Sequence, residues 1–118
     1  MLTYQIIHQA ITNVGAEYKG KTSTNTSQQE LYRKIAKIAD IFVEEMEKES
    51  MINGKLPVSC SLDGLVKELD TPRNTVIRYL QTFKTAVDMY LLANYQIPKG
   101  TLVIEFEGYT LRGSAANR

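Results

Sequence analysis

Apolar residues recur at helical spacing over most of this chain and change to strand-like alternation only near its end. The clearest stripe is Leu31, Ile35, Ile38, Phe42 and Met46, widened by Ala39 and Val43. That spacing predicts a long core helix over residues 28–50, ending before Asn53-Gly54. Ser27-Gln28-Gln29-Glu30 reads as its capping box, the serine capping the helix and the glutamate reaching back. Upstream, Leu2, Ile6, Ala10 and Val14, with Ile7 and Ile11, predict a helix over 2–14 that Gly15 should stop. Alternation in Thr3-Tyr4-Gln5-Ile6-Ile7 also fits a short strand.

Two shorter patterns follow almost without a gap. Leu62, Leu65, Val66 and Leu69 form one stripe behind Ser61, and Val76, Ile77, Leu80 and Phe83 form the next. Thr71 is placed to cap the second helix and Pro72 to occupy its first turn, where a missing N–H costs nothing. Two helices joined this tightly must cross steeply, as in a helix-turn-helix. Lys55–Cys60, with Pro57, suits an edge strand before them. After them the helical pattern continues through Val87 toward Leu91. Tyr95-Gln96-Ile97 and Thr101–Glu107 then read as two strands reversed at Pro98-Lys99-Gly100, a hairpin that Gly108–Gly113 extends or returns to the sheet. The expectation is one domain, mainly α with a small antiparallel β wing (α+β). It comprises a helix at 2–14, a polar linker at 15–27, the long helix at 28–50, a helix-turn-helix plus wing at 55–113 and a fraying tail at 114–118.

Composition narrows the class but not the role. The 118 residues are 43% apolar and 23% charged with net charge +1, so any basic footprint must be local. A lone cysteine, Cys60, makes no internal disulfide and no structural zinc site, fits a reducing cytoplasm, and reads as a small buried hydrophobe. The first residues, MLTYQIIHQAITNV, have neither the basic start of a secretion signal nor the length of a membrane span. His8 has no partner at catalytic or ligand spacing, and no Ser–His, Cys–His or metal cluster is evident, so neither an enzyme nor a cofactor is expected.

One motif points elsewhere. Gly15-Ala16-Glu17-Tyr18-Lys19-Gly20-Lys21-Thr22 matches the phosphate-loop pattern, in which Gly15 and Gly20 open the backbone, Lys21 meets phosphate and Thr22 meets magnesium. A helix rather than a buried strand precedes it, and the polar Ser23–Ser27 follows where a helix should begin. A basic, flexible linker is the preferred reading; a nucleotide-binding protein is the lesser alternative.

The second helix of the pair carries the candidate chemistry. Arg73, Asn74, Thr75, Arg78, Gln81, Thr82 and Lys84 lie off the apolar stripe, and no acid occurs between Thr71 and Thr85. In layout the stretch from Thr75 to Gly113 is similar to the winged helix-turn-helix domains of DeoR-like, BglG-like and Mga-like bacterial regulators. There a T-V-x-R-x-L-x-x-L helix precedes a wing ending near G-Y-x-L-x-G. Here those positions are Thr75, Val76, Arg78, Leu80 and Phe83, then Gly108, Tyr109, Leu111 and Gly113. The resemblance covers roughly residues 56–113 and implies double-stranded DNA binding, without any effector domain. Arg73 and Arg78 are then placed for guanine and Asn74 for adenine. Thr71, Thr75 and Lys84 are placed for phosphates, and Lys99 at the wing tip for the backbone or the minor groove. An ion pair of Arg78 with Glu68 or Asp70 is the competing assignment. The function expected is a small cytoplasmic transcription regulator of bacterial, plasmid or phage origin, acting as a homodimer through helix 28–50. A partition or replication adaptor using the module on DNA repeats, or against a protein partner, is the alternative.

Overall fold

The computed structural model describes residues 2–47 and 55–112, with the backbone alone for residues 55–60. The Cys60 side chain and the tail at 114–118 therefore lie outside the described part of the chain. Four helices pack with a three-stranded sheet: α1 (Tyr4–Gly20), α2 (Thr26–Met46), β1 (Lys55–Ser61), α3 (Leu62–Leu69), α4 (Arg73–Tyr95), β2 (Val103–Glu107) and β3 (Tyr109–Leu111). The protein is thus α+β and mainly helical, as its apolar spacing predicts.

α1 begins where the Ile6 N–H donates to the Thr3 hydroxyl, at 3.2 Å. It does not stop at Gly15 but runs to Gly20, so the expected linker is half helix. The reason is packing. A Cβ at Gly15 would lie 2.9 Å from the Ala39 Cβ, so the missing side chain lets α1 and α2 approach closely. Burial of Ile7, Ala10, Ile11 and Val14 along the same contact outweighs the roughly 1 kcal/mol cost of an interior glycine.

The cap of α2 stands two residues before the expected one. Asn25, not Ser27, caps it, its side-chain oxygen accepting from the Gln28 N–H at 2.9 Å. Glu30 does not reach back; it accepts from Arg33 at 3.3 and 2.8 Å, and that hydrogen bond is the main cause holding its carboxyl below the ordinary value. The helix ends at Met46, and the rest of the expected 28–50 span includes residues outside those described. Ile35, Ile38, Phe42 and Met46 are buried against α1, α4 and the sheet, Phe42 meeting Phe83 at 5.1 Å and Phe106 at 5.6 Å. The stripe expected to pair two copies is therefore used inside the chain.

The sheet departs from expectation in two ways. β1 is an edge strand, consistent with Pro57, but it pairs parallel to β2, with Leu56 opposite Ile104 and Ser61 opposite Glu107. The antiparallel hairpin is β2–β3, turning at Glu107-Gly108 between paired Phe106 and Tyr109, where Gly108 has φ +81°. Tyr95 is not in a strand. α4 runs through it and closes at Gln96 in the left-handed region, because Val87 and Leu91 keep the helix on the core and the Tyr95 hydroxyl donates to Gln9 Oε1 at 2.9 Å. Pro98-Lys99-Gly100 consequently joins a helix to a strand and is no hairpin tip.

A candidate nucleic-acid interface on the second helix of the pair

α3 and α4 are separated by three residues. α3 opens with the Gly64 N–H donating to the Ser61 hydroxyl at 3.0 Å, as the sequence implies. It closes with Asp70 at φ 50° while the Asp70 and Thr71 N–H groups donate to Lys67 O and Val66 O, both at 3.2 Å. A left-handed residue with these returning bonds satisfies the last carbonyls of a helix, with aspartate taking the place glycine usually has.

Thr71 neither caps α4 nor faces a ligand. It is buried, its hydroxyl donating to Leu69 O at 2.8 Å and accepting from Lys34 Nζ at 2.8 Å. Lys34 also donates to Leu69 O. The Lys34 ammonium thus sits on the C-terminal carbonyls of α3, where the helix dipole favours a cation, and ties α2 to the turn. Pro72 stands just before the first helical residue and no side chain caps α4.

Beyond the turn, Arg73, Asn74, Arg78 and Gln81 are exposed, while Thr75 and Thr82 are half-buried. The arrangement brings Asn74, Arg78 and Gln81 onto one edge of the helix, three and four residues apart. Arg73 pairs with Asp63 of α3 at 3.0 Å. Arg78 lies over the Tyr79 ring, 5.7 Å from its centroid, rather than against Glu68 or Asp70. Thr82 donates back to Arg78 O at 3.1 Å, so its hydroxyl proton is engaged. Lys99 is exposed but sits in the α4–β2 turn, and the true hairpin tip carries Glu107.

Lys84 leaves the proposed surface altogether. Its side chain is 0% exposed, with Nζ 2.7 and 2.8 Å from the two Asp88 oxygens and 2.8 Å from Arg112 O. Asp88 Oδ2 also accepts from the Gly100 N–H at 3.2 Å. Burial, opposed by Asp88, pushes the Lys84 ammonium below the ordinary lysine value. The sequence holds a signal for this burial: Leu80, Phe83, Val87 and Leu91 stand at i−4, i−1, i+3 and i+7 of Lys84, and Asp88 stands at i+4. Among the described residues, buried side-chain polar atoms all find a partner.

The phosphate-loop match forms no loop. Gly15–Gly20 is the last part of α1, its backbone N–H groups facing along the helix axis. Lys21 lies over the Tyr18 and Tyr32 rings, at 5.4 and 5.5 Å, with Glu17 3.8 Å away. Burial, reinforced by Glu17 and Tyr32, pushes the Tyr18 hydroxyl up from its ordinary value. Contact with both rings, which meet edge to face, occupies the lysine that the motif would hold free.

Among the described residues no group of three His, Cys, Asp or Glu side chains could hold a metal, and no helix is long and apolar enough to cross a membrane. Compared with known protein families, curated proteins and solved structures, the chain matches none.

Proposed function

We propose that this protein binds double-stranded DNA through α3 and α4 as a winged helix-turn-helix module, in the role of a small transcription regulator. One observation carries the reading. A three-residue turn pinned by Lys34 holds α4 with Val76, Tyr79 and Leu80 in the core and Asn74, Arg78 and Gln81 along one exposed edge. These side chains have the chemistry of base-edge contact: arginine donates to guanine, and amides meet adenine from both sides. Arg73 is positioned to trade Asp63 for a phosphate, since an exposed pair costs little to break.

The order helix, strand, helix, turn, helix, hairpin supports the winged form, with a difference in what the hairpin does. Glu105 and Glu107 on β2 make it a poor partner for phosphate, so contact is assigned to α4 and not to the hairpin. That acidity favours a second reading, in which the hairpin meets a protein in a partition or replication complex.

The test is selection of duplexes from a random-sequence library, followed by anisotropy titrations of the enriched duplex against salt. The expected result is enrichment of a motif and affinity that falls as salt rises, because bound cations displace phosphate counterions. Arg78→Ala should weaken the selected duplex by about 1–3 kcal/mol and relax one base position, while Lys99→Ala leaves specificity unchanged. No enrichment and no salt-dependent affinity would reject DNA binding.

A further inference from the structure

Between the end of α1 and the first half of α2 lies a depression of about 410 Å³, within the size range of a small-molecule site. Tyr18 and Ala36 form its walls. Its polar rim is Lys19 from α1 and Gln29, Arg33, Lys37 and Asp40 from α2. The α2 residues recur at intervals of three and four, which sets them on one face of that helix. Three of the rim groups are cations and one is an anion, in a chain whose net charge is only +1.

The rim groups have bonding capacity to spare. Lys37 is exposed and makes no ion pair with a described residue. Arg33 gives its Nε and one Nη2 proton to Glu30, at 3.3 and 2.8 Å, and keeps its remaining donors. Lys19 meets Asp40 at 3.1 Å across the groove, but the two side chains are 59% and 61% exposed, so this pair opens at little cost. Gln29 is half-buried and accepts from the Ser23 N–H at 2.8 Å, which fixes its amide and leaves the NH₂ group to donate.

We propose that this depression binds a nucleotide, with its phosphate at Lys37 and Arg33, its ribose hydroxyls at Asp40 and Gln29, and its base along Tyr18; the assignment is independent of the DNA-binding reading above. The mixture of charges selects the ligand class. Lysine and arginine together recognise phosphate, but a bare anion would gain nothing from Asp40. A carboxylate and an amide instead suit hydroxyl groups carried on the same molecule, and a carboxylate accepts from ribose hydroxyls in this way in dinucleotide sites. A tyrosine ring stacks on any base, since each has a π-face, and Tyr18 is braced by Tyr32 edge to face at 5.9 Å. No phosphate loop is involved: α1 supplies the Lys19 side chain, while Lys21 stays over the two tyrosine rings.

Calorimetric titration of the full chain at constant ionic strength tests the site, with the four ribonucleoside monophosphates, adenosine and inorganic phosphate as probes. At least one monophosphate should bind one to one with a dissociation constant at or below about 1 mM, and adenosine and phosphate each at least about tenfold more weakly. Lys37→Gln and Arg33→Gln should each weaken the monophosphate about tenfold, the loss of one charge-assisted contact, and leave the melting temperature unchanged because both side chains are exposed. Asp40→Asn should weaken the monophosphate and not inorganic phosphate. Lys67→Gln, on α3, should change nothing. No heat from any monophosphate up to about 10 mM overturns the proposal, as does binding indifferent to Lys37→Gln and Arg33→Gln. Inorganic phosphate bound as tightly as the monophosphates would mean an adventitious ion only, and overturns it too. So does a duplex whose affinity falls with both variants while no monophosphate binds, since the groove would then hold backbone phosphates.

Discussion

The turn between α3 and α4 and the root of the hairpin are each held by a buried lysine, and the two are held differently. Lys34 reaches from α2 to the end of α3, where its partners are the Leu69 carbonyl and the Thr71 hydroxyl, with half-exposed Glu30 at 3.5 Å. Lys84 stays on α4 and is closed in with Asp88, which binds the Gly100 N–H while Lys84 binds the Arg112 carbonyl. The first lysine meets neutral oxygens and a carboxylate with access to water. The second meets a charge as buried as itself. Removing a side chain from the first cluster therefore leaves hydrogen-bond acceptors short of a donor, whereas removing one from the second leaves an isolated charge. The energies should separate accordingly.

Asp88→Ala carries the largest expected effect. It strands the Lys84 ammonium in the core and frees the turn before β2, and the expected loss is about 3–5 kcal/mol in denaturant unfolding. Replacing both partners, as Lys84→Met with Asp88→Leu, should restore most of it, because the apolar pair fills the same space and the groups at Gly100 and Arg112 lie near enough to solvent to find water. If the double variant is as unstable as the single one, the pair is holding the hairpin by its hydrogen bonds rather than merely cancelling charge.

Lys34→Met comes next. Leu69 O keeps the Thr71 hydroxyl as a donor, so what is lost is chiefly the charge-assisted bonding at the end of α3, about 1.5–3 kcal/mol. The comparison sharpens when stability and binding are read together. If the protein binds DNA as proposed, loosening the turn should lower that affinity beyond what the same loss of stability produces at Lys84, because Lys34 reaches the α3–α4 turn and Lys84 does not.

The contrast between these lysines also marks how far the sequence can be read. The α3–α4 pair is legible because its information is local: the Ser61 cap, two apolar stripes and Pro72 at the junction. Residue type assigns Lys84 to solvent, although its apolar neighbours and Asp88 one turn away argue for the core. Thr71 could serve two oxygens and one amide direction, and only the arrival of Lys34 from thirty-seven residues upstream decides which. Gly15 reads as a stop because its use, close approach to Ala39, lies in another helix. The parallel pairing of β1 with β2 joins distant segments, Lys55 with Val103, and leaves no local trace beyond two short β-prone runs. Ser27 and Asn25 are both good caps, and the short connection from Lys21 makes the earlier one the start. On the candidate interface, Arg73, Asn74, Arg78 and Gln81 remain outward; Thr71 and Lys84 do not, and Lys99 lies on a different turn.

Alkaline titration separates Lys84 from Tyr18 by sign. Because the folded state lowers Lys84 below its ordinary value of 10.5, the unfolded chain binds more protons in the window just beneath that value. Stability contributed by this group therefore rises as pH rises through the window. Tyr18, pushed upward, acts the opposite way near and above its ordinary value of 10.0, since there the folded state holds the extra proton. The difference between wild type and the Lys84→Met, Asp88→Leu double variant isolates the lysine: the wild type should gain on the double variant as pH climbs toward the ordinary lysine value of 10.5. A gap that widens against the wild type would mean that Asp88 outweighs burial and holds the lysine charged.

Arg73→Ala is the smallest expected change and the cleanest control for the buried pairs. Its partner Asp63 is 83% exposed in its side chain, and the 3.0 Å contact joins two groups that water solvates well on separation. The stability change should stay within about 0.5 kcal/mol and shrink further in high salt, as exposed pairs do. The same substitution should lower affinity for any duplex by a similar factor whatever its sequence, if the guanidinium leaves Asp63 for a phosphate on binding. A stability loss above about 1 kcal/mol, beyond what exposed pairs contribute, would show instead that Arg73 joins Lys34 in fixing the angle between the two helices, and the turn would then be held from both sides.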